Sequence, residues 1–82
     1  MHANVKPLTH WIIYKGYTVR FTQRSQEQVA GWLTDHGGAQ VAFHYDPAAR
    51  VVTLPDRQVT INEYGWEVRS AAAPAANGGE LP

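Results

Sequence analysis

The chain contains no cysteine, which excludes a disulfide framework and any zinc site built on thiolates. Net charge is missing too: seven Lys/Arg balance seven Asp/Glu, and only 17% of the 82 residues are charged. That balance speaks against a nucleic-acid binder held by bulk charge and against an acidic mimic of DNA. No run approaches the roughly 18 apolar residues that span a bilayer. The opening MHANVKPLTHWIIYKG lacks the unbroken apolar stretch of a secretory leader. A single small domain away from the membrane, in the cytoplasm, is the expectation.

Catalytic signatures are equally scarce. There is no G-x-S-x-G, no glycine-rich phosphate loop and no H-E-x-x-H. Glu27, Asp35, Asp46, Asp56, Glu63 and Glu67 are scattered over turns and exposed strand positions. So short a chain also struggles to enclose a pocket of the usual few hundred Å³. The four histidines, His2, His10, His36 and His44, form no H-x-x-x-H pair, and structural roles account for His10, His36 and His44 without a metal. The expectation is a protein that is not an enzyme and carries no cofactor or metal.

What is present is patterned for a sheet. Lys15–Gly16 lies between two β-rich runs and reads as a two-residue turn. Closing there pairs Tyr14 with Tyr17, Ile12 with Val19 and His10 with Phe21, leaving Trp11, Ile13, Thr18 and Arg20 on the opposite face. Ser25 and Gln28 match a capping box. Val29, Trp32, Leu33 and His36 follow at helical spacing, and Gly37–Gly38 stops the segment, which predicts a helix. Gly31 within it lets that helix lie close to a sheet. Beyond it, alternation predicts strands at Gln40–Tyr45, Val51–Leu54, Gln58–Ile61 and Trp66–Arg69. Simple loop closure pairs Tyr45 with Val51, Thr53 with Val59 and Ile61 with Trp66. One face then collects Val41, Phe43, Tyr45, Val51, Thr53, Val59, Ile61, Trp66 and Val68. Thr60 and Glu63 form a second capping-box match, but Gly65–Trp66 and the β-branched neighbours favour strand there.

The expected fold is therefore α+β, a ββαββββ antiparallel sheet of about six strands with one helix on one face, open or curled into a partial barrel. Residues 1–69 form the domain. Residues 70–82, SAAAPAANGGELP, read as a flexible tail, because Ala, Pro and Gly bury too little apolar surface to offset ordering.

Charge is distributed unevenly along the chain. Residues 1–24 hold Lys6, Lys15, Arg20 and Arg24 and no acid. Trp11 and Ile13 point away from the expected core face, and Lys15, Arg20 and Arg24 rim them. Trp and Arg are common anchors of interfaces, so these five residues form the candidate partner-binding patch. The same basic, aromatic hairpin offers an alternative, a platform for single-stranded nucleic acid. A homodimer is a further way to cover it.

The layout of Lys6-Pro7, a β hairpin, SQEQVAGWL and VVTLPDRQVTINEYGWEVRS resembles a group of small phage and prophage proteins. Those begin with a K-P-V-type strand and carry G-D-W-I-x-R-G followed by G-E-[FL]-Y-P. Here Gly65-Trp66-Glu67-Val68-Arg69 stands for the first segment and Gly79-Glu80-Leu81-Pro82 for a shortened ending. In size, architecture and lack of cysteine the chain is also similar to anti-CRISPR inhibitors. These resemblances imply a phage or mobile-element protein that occludes a surface of a bacterial protein or ribonucleoprotein complex. They transfer no residue roles.

Overall fold

The computed structural model describes residues 4–72. Its elements run α1 (Lys6–Lys15), β1 (Thr18–Arg24), β2 (Val29–Thr34), β3 (Gln40–Asp46), β4 (Val51–Thr53), β5 (Arg57–Ile61) and β6 (Glu67–Ala72). The strands form one six-stranded antiparallel meander in sequence order, open between β1 and β6 rather than closed into a barrel. The α+β class, the single helix and the six strands agree with the sequence reading; the order of elements does not. The helix comes first, giving αββββββ.

Helix α1 forms from residues that looked like a strand. Pro7 occupies the first turn, where its missing N–H costs nothing. The Asn4 side chain accepts the Lys6 N–H at 3.1 Å. Leu8, Trp11 and Ile12 recur at helical spacing and are buried, whereas Ile13, one position on, is exposed. At the far end Gly16 is left-handed, and the Tyr17 N–H donates to the Ile12 carbonyl at 3.1 Å, a glycine-terminated helix end. Lys15–Gly16, read as a hairpin turn, is this stop.

The expected helix after Ser25 is strand β2. Its local signal was real: Ser25 Oγ accepts the Gln28 N–H at 3.1 Å and the Glu27 N–H at 3.3 Å. That bond closes the β1–β2 turn instead of capping a helix, an ambiguity inherent in serine. Val29, Gly31 and Leu33 then face the core with period two. Pairing on both sides, to β1 and to β3, satisfies every backbone group that a helix would have satisfied. Gly31 does permit a close approach, but of strand β1, because a Cβ there would collide with the Arg20 carbonyl.

Across the meander, each of the three turns closes one residue away from simple closure: Tyr45 meets Val52 rather than Val51, Val59 meets Val52 rather than Thr53, and Ile61 meets Glu67 rather than Trp66. Asp46 pairs with Val51 and Tyr45 with Val52, since Arg50 takes a positive φ of 55° and Asp46 Oδ1 accepts the Ala48 N–H at 3.0 Å. A one-residue slip exchanges faces. Val52 and Leu54 are therefore core, and Val51 and Thr53 are not. Val52 pairs in turn with Val59, which returns Val59 and Ile61 to the core as expected. After β5, Asn62 Oδ1 accepts the N–H groups of Tyr64 (2.9 Å) and Trp66 (3.0 Å). Glu67, not Trp66, thus stands opposite Ile61, and Trp66 and Val68 are exposed.

The core lies between α1 and the inner face of the sheet: Leu8, Trp11 and Ile12 against Val29, Leu33, Phe43, Tyr45, Val52, Leu54, Val59 and Ile61. Residues 70–72, assigned to the tail from sequence, belong to β6; the remainder of that segment lies outside the described residues. Among the described residues no helix is long and apolar enough to cross a membrane.

Candidate functional site

Because the first segment is a helix, the five residues expected to form one patch are divided. Trp11 is only 1% exposed and sits in the core. Ile13 and Lys15 remain on α1, Ile13 at 65% exposure. Arg20 lies on β1 opposite Trp32 of β2, so the aromatic partner across from it is Trp32 and not Trp11. The Arg24 guanidinium stands 5.0 Å from the centre of the Phe21 ring. The hairpin that would have joined them does not exist.

A different constellation takes shape where Gly65–Glu67 meets α1. Gly65 has a φ of +87°, and a Cβ on it would come within 2.7 Å of both the Pro7 carbonyl oxygen and His10 Cβ. Only glycine lets this loop lie against the helix. Next in the chain, Trp66 stacks on Tyr14 with ring centres 4.2 Å apart and planes 9° from parallel. Both rings stay half open to solvent, at 55% and 49%. Glu67 Oε2 then accepts the Trp11 indole N–H at 2.8 Å and pairs with the Lys15 ammonium at 3.2 Å. The indole N–H, and after it Lys15, holds the Glu67 carboxyl below its ordinary pKa, against the upward pull of partial burial. Trp11, Tyr14, Lys15, Gly65, Trp66 and Glu67 enclose an open groove of about 330 Å³.

A second cleft, of about 380 Å³, lies between the β2–β3 and β4–β5 turns, with Tyr17, Asp35, Leu54, Asp56 and Arg57 on its walls. Asp35 Oδ1 already accepts the Gly37 and Ala39 N–H groups at 2.9 Å each, so this carboxylate is committed to its turn. Of the histidines, His36 packs over Gly16 at the end of α1, and His44 lies between Ala30 and Thr53 on the outer face of β3. His10 flanks Tyr14, with ring centres 6.4 Å apart. His2 lies outside the described residues. Among the described residues no three His, Asp or Glu side chains gather as metal ligands.

Sequence reasoning missed Tyr14, Tyr64, Trp66 and Glu67 as site residues. The available signal was the Gly65-Trp66-Glu67 run itself, a glycine followed at once by an aromatic and an acid. Comparison of the chain with models of protein families, with curated proteins and with solved structures found no match.

Proposed function

We propose that the chain is a non-enzymatic protein-binding module that docks through the apolar shoulder around the Tyr14–Trp66 stack. The observation that carries this reading is the exposure of large apolar side chains there. Ile13 adjoins Tyr14, Tyr64 lies two residues before Trp66, and all four are open to solvent. Rigid aromatic rings, already held by stacking and by the loop–helix contact, bind with little loss of conformational freedom. Asp35 is committed to its turn and Glu67 to holding α1, which also favours binding over catalysis. The resemblance to small phage proteins makes a bacterial protein or ribonucleoprotein complex, occluded by this shoulder, the target to test first.

A second reading has its own observation. Arg20 and Trp32 face each other on the open side of the sheet, an aromatic–basic pair suited to stacking a base of single-stranded nucleic acid. Capture from bacterial lysate with tagged full-length chain, with and without nuclease, separates the two. Protein binding predicts a stoichiometric, nuclease-resistant partner lost with Ile13→Asp plus Tyr64→Ser and kept with Arg20→Glu plus Trp32→Ala. An eluate that vanishes with nuclease, or with the second pair only, refutes it.

A further inference from the structure

The two edges of the sheet are built differently. Strand β1 is interrupted by an irregularity between Phe21 and Gln23 and carries Arg20 and Arg24, the kind of bulge and charge that discourage further pairing. Strand β6 has its irregularity only at its start, where Arg69 pairs with Thr60 but Glu67 with Ile61. From Arg69 onward it pairs regularly with β5 through Ser70, Ala71 and Ala72, and all six of its residues are exposed. Its described residues beyond Arg69, namely Ser70, Ala71 and Ala72, are small and uncharged. Among the described residues no strand pairs with its outer side.

Alternate N–H and C=O groups of β6 therefore face outward, and another extended backbone is what completes such a row. Two further features lie beside this edge. The groove of about 330 Å³ opens at Trp66 and Glu67, where the strand begins. Arg69 has no ion-pair partner among the described residues. We infer that β6 is a strand-addition site for an extended segment of a partner protein, with one large apolar side chain seated in the groove beside Trp66 and an acidic residue opposite Arg69. This deepens the protein-binding reading and rests on it. A second copy of the chain fits less well. An antiparallel self-pair centred on Ser70 sets alanine opposite Val68 and leaves the groove unfilled, and one centred on Arg69 opposes like charges.

The test uses random dodecapeptides displayed on cells, panned against the full chain. Of Ser70 and Ala71, adjacent in the strand, one N–H bonds β5 and the other points outward, so of Ser70→Pro and Ala71→Pro the variant with wild-type melting reports on the free edge. Arg69→Glu serves as a second probe that leaves the backbone intact. The selected peptides are expected to combine an acid with a large apolar residue. Losing the added hydrogen bonds should weaken them by about tenfold or more on the tolerated proline variant, and Arg69→Glu should reverse their charge preference. Peptides that bind both variants as tightly as wild type, or no enrichment over an empty control, overturn the inference. So does a dimer in sedimentation that the proline variant abolishes. If a captured partner is lost with Ile13→Asp plus Tyr64→Ser but bound fully by the edge variants, strand addition fails while the protein-binding reading stands.

Discussion

Gly65→Ala is the sharpest probe of how the loop holds the helix. Gly65 has a φ of +87°, and an added methyl carbon would sit 2.7 Å from the Pro7 carbonyl oxygen and 2.8 Å from the Trp11 nitrogen. Those are backbone atoms one helical turn apart, and neither yields without moving α1. Two penalties combine: roughly 1–2 kcal/mol for a left-handed alanine, and roughly 1–3 kcal/mol for forcing a carbon into filled space. Gly38→Ala isolates the first of these. Gly38 has nearly the same φ, +86°, with nothing within 4 Å of its added carbon. Urea unfolding followed by tryptophan fluorescence should place Gly38→Ala below wild type by about 1–2 kcal/mol. Gly65→Ala should fall further by about 1–3 kcal/mol, which is about 1–3 M in midpoint at the slope of a small domain. A core of this size supplies only roughly 3–5 kcal/mol, so the variant should be close to unfolding. Equal losses for the two substitutions would refute the contact argument.

Other outcomes follow from the same geometry. Tyr45 is fully buried with a hydroxyl that meets no partner among the described residues, so Tyr45→Phe should raise the unfolding free energy by about 1 kcal/mol; a comparable loss would disprove the orphaned hydroxyl. Glu67 titrates in the folded state below its ordinary value of 4.5. Its stabilisation is therefore complete well above that pH and is lost as pH falls through the lowered folded value. Glu67→Gln should melt below wild type at neutral pH, by an amount on the order of 1 kcal/mol given its partial exposure, and the gap should close on acidification. A gap constant down to the acid limit would rule out the charge as its cause. Gly31→Ala drives a methyl into the Arg20 carbonyl, so hydrogen exchange of the β1–β2 amides should accelerate strongly, and unchanged protection would contradict that close approach.

How much of this was legible depends on what decides each element. Alternation from Val41 to Ile61 is set by burial of one face, and it announced the meander correctly. Two of the three register slips hang on single turn residues, Arg50 at positive φ and Asn62 gathering two amides. Such details do not show in an apolar pattern. Ser25–Gln28 makes the same hydrogen bond at a helix start and in a tight turn, so its motif could not choose between them. For α1 the signals were present: Pro7 near the start, Leu8, Trp11 and Ile12 at helical spacing, and Gly16 at the end. The β-branched Ile12–Ile13 step and the Lys-Gly pair outweighed them in a reading based on strand propensity. The candidate site suffered most, because one wrong element moved Trp11 from the surface to the core and left Glu67 without an assigned role.

The order of the strands bears on how the chain folds. Each strand pairs with its neighbour in sequence, so the sheet assembles from short closures that cost little chain entropy. Helix α1 is the exception. Its anchor is the bond from Trp11 to Glu67, 56 residues away, between the first element and the last strand. A ten-residue helix is marginal alone in water, so its stability comes from packing Leu8, Trp11 and Ile12 on the meander. The Trp11–Glu67 bond and the close approach of Gly65 to α1 thus tie the first element to the last strand across nearly the full length of the described chain.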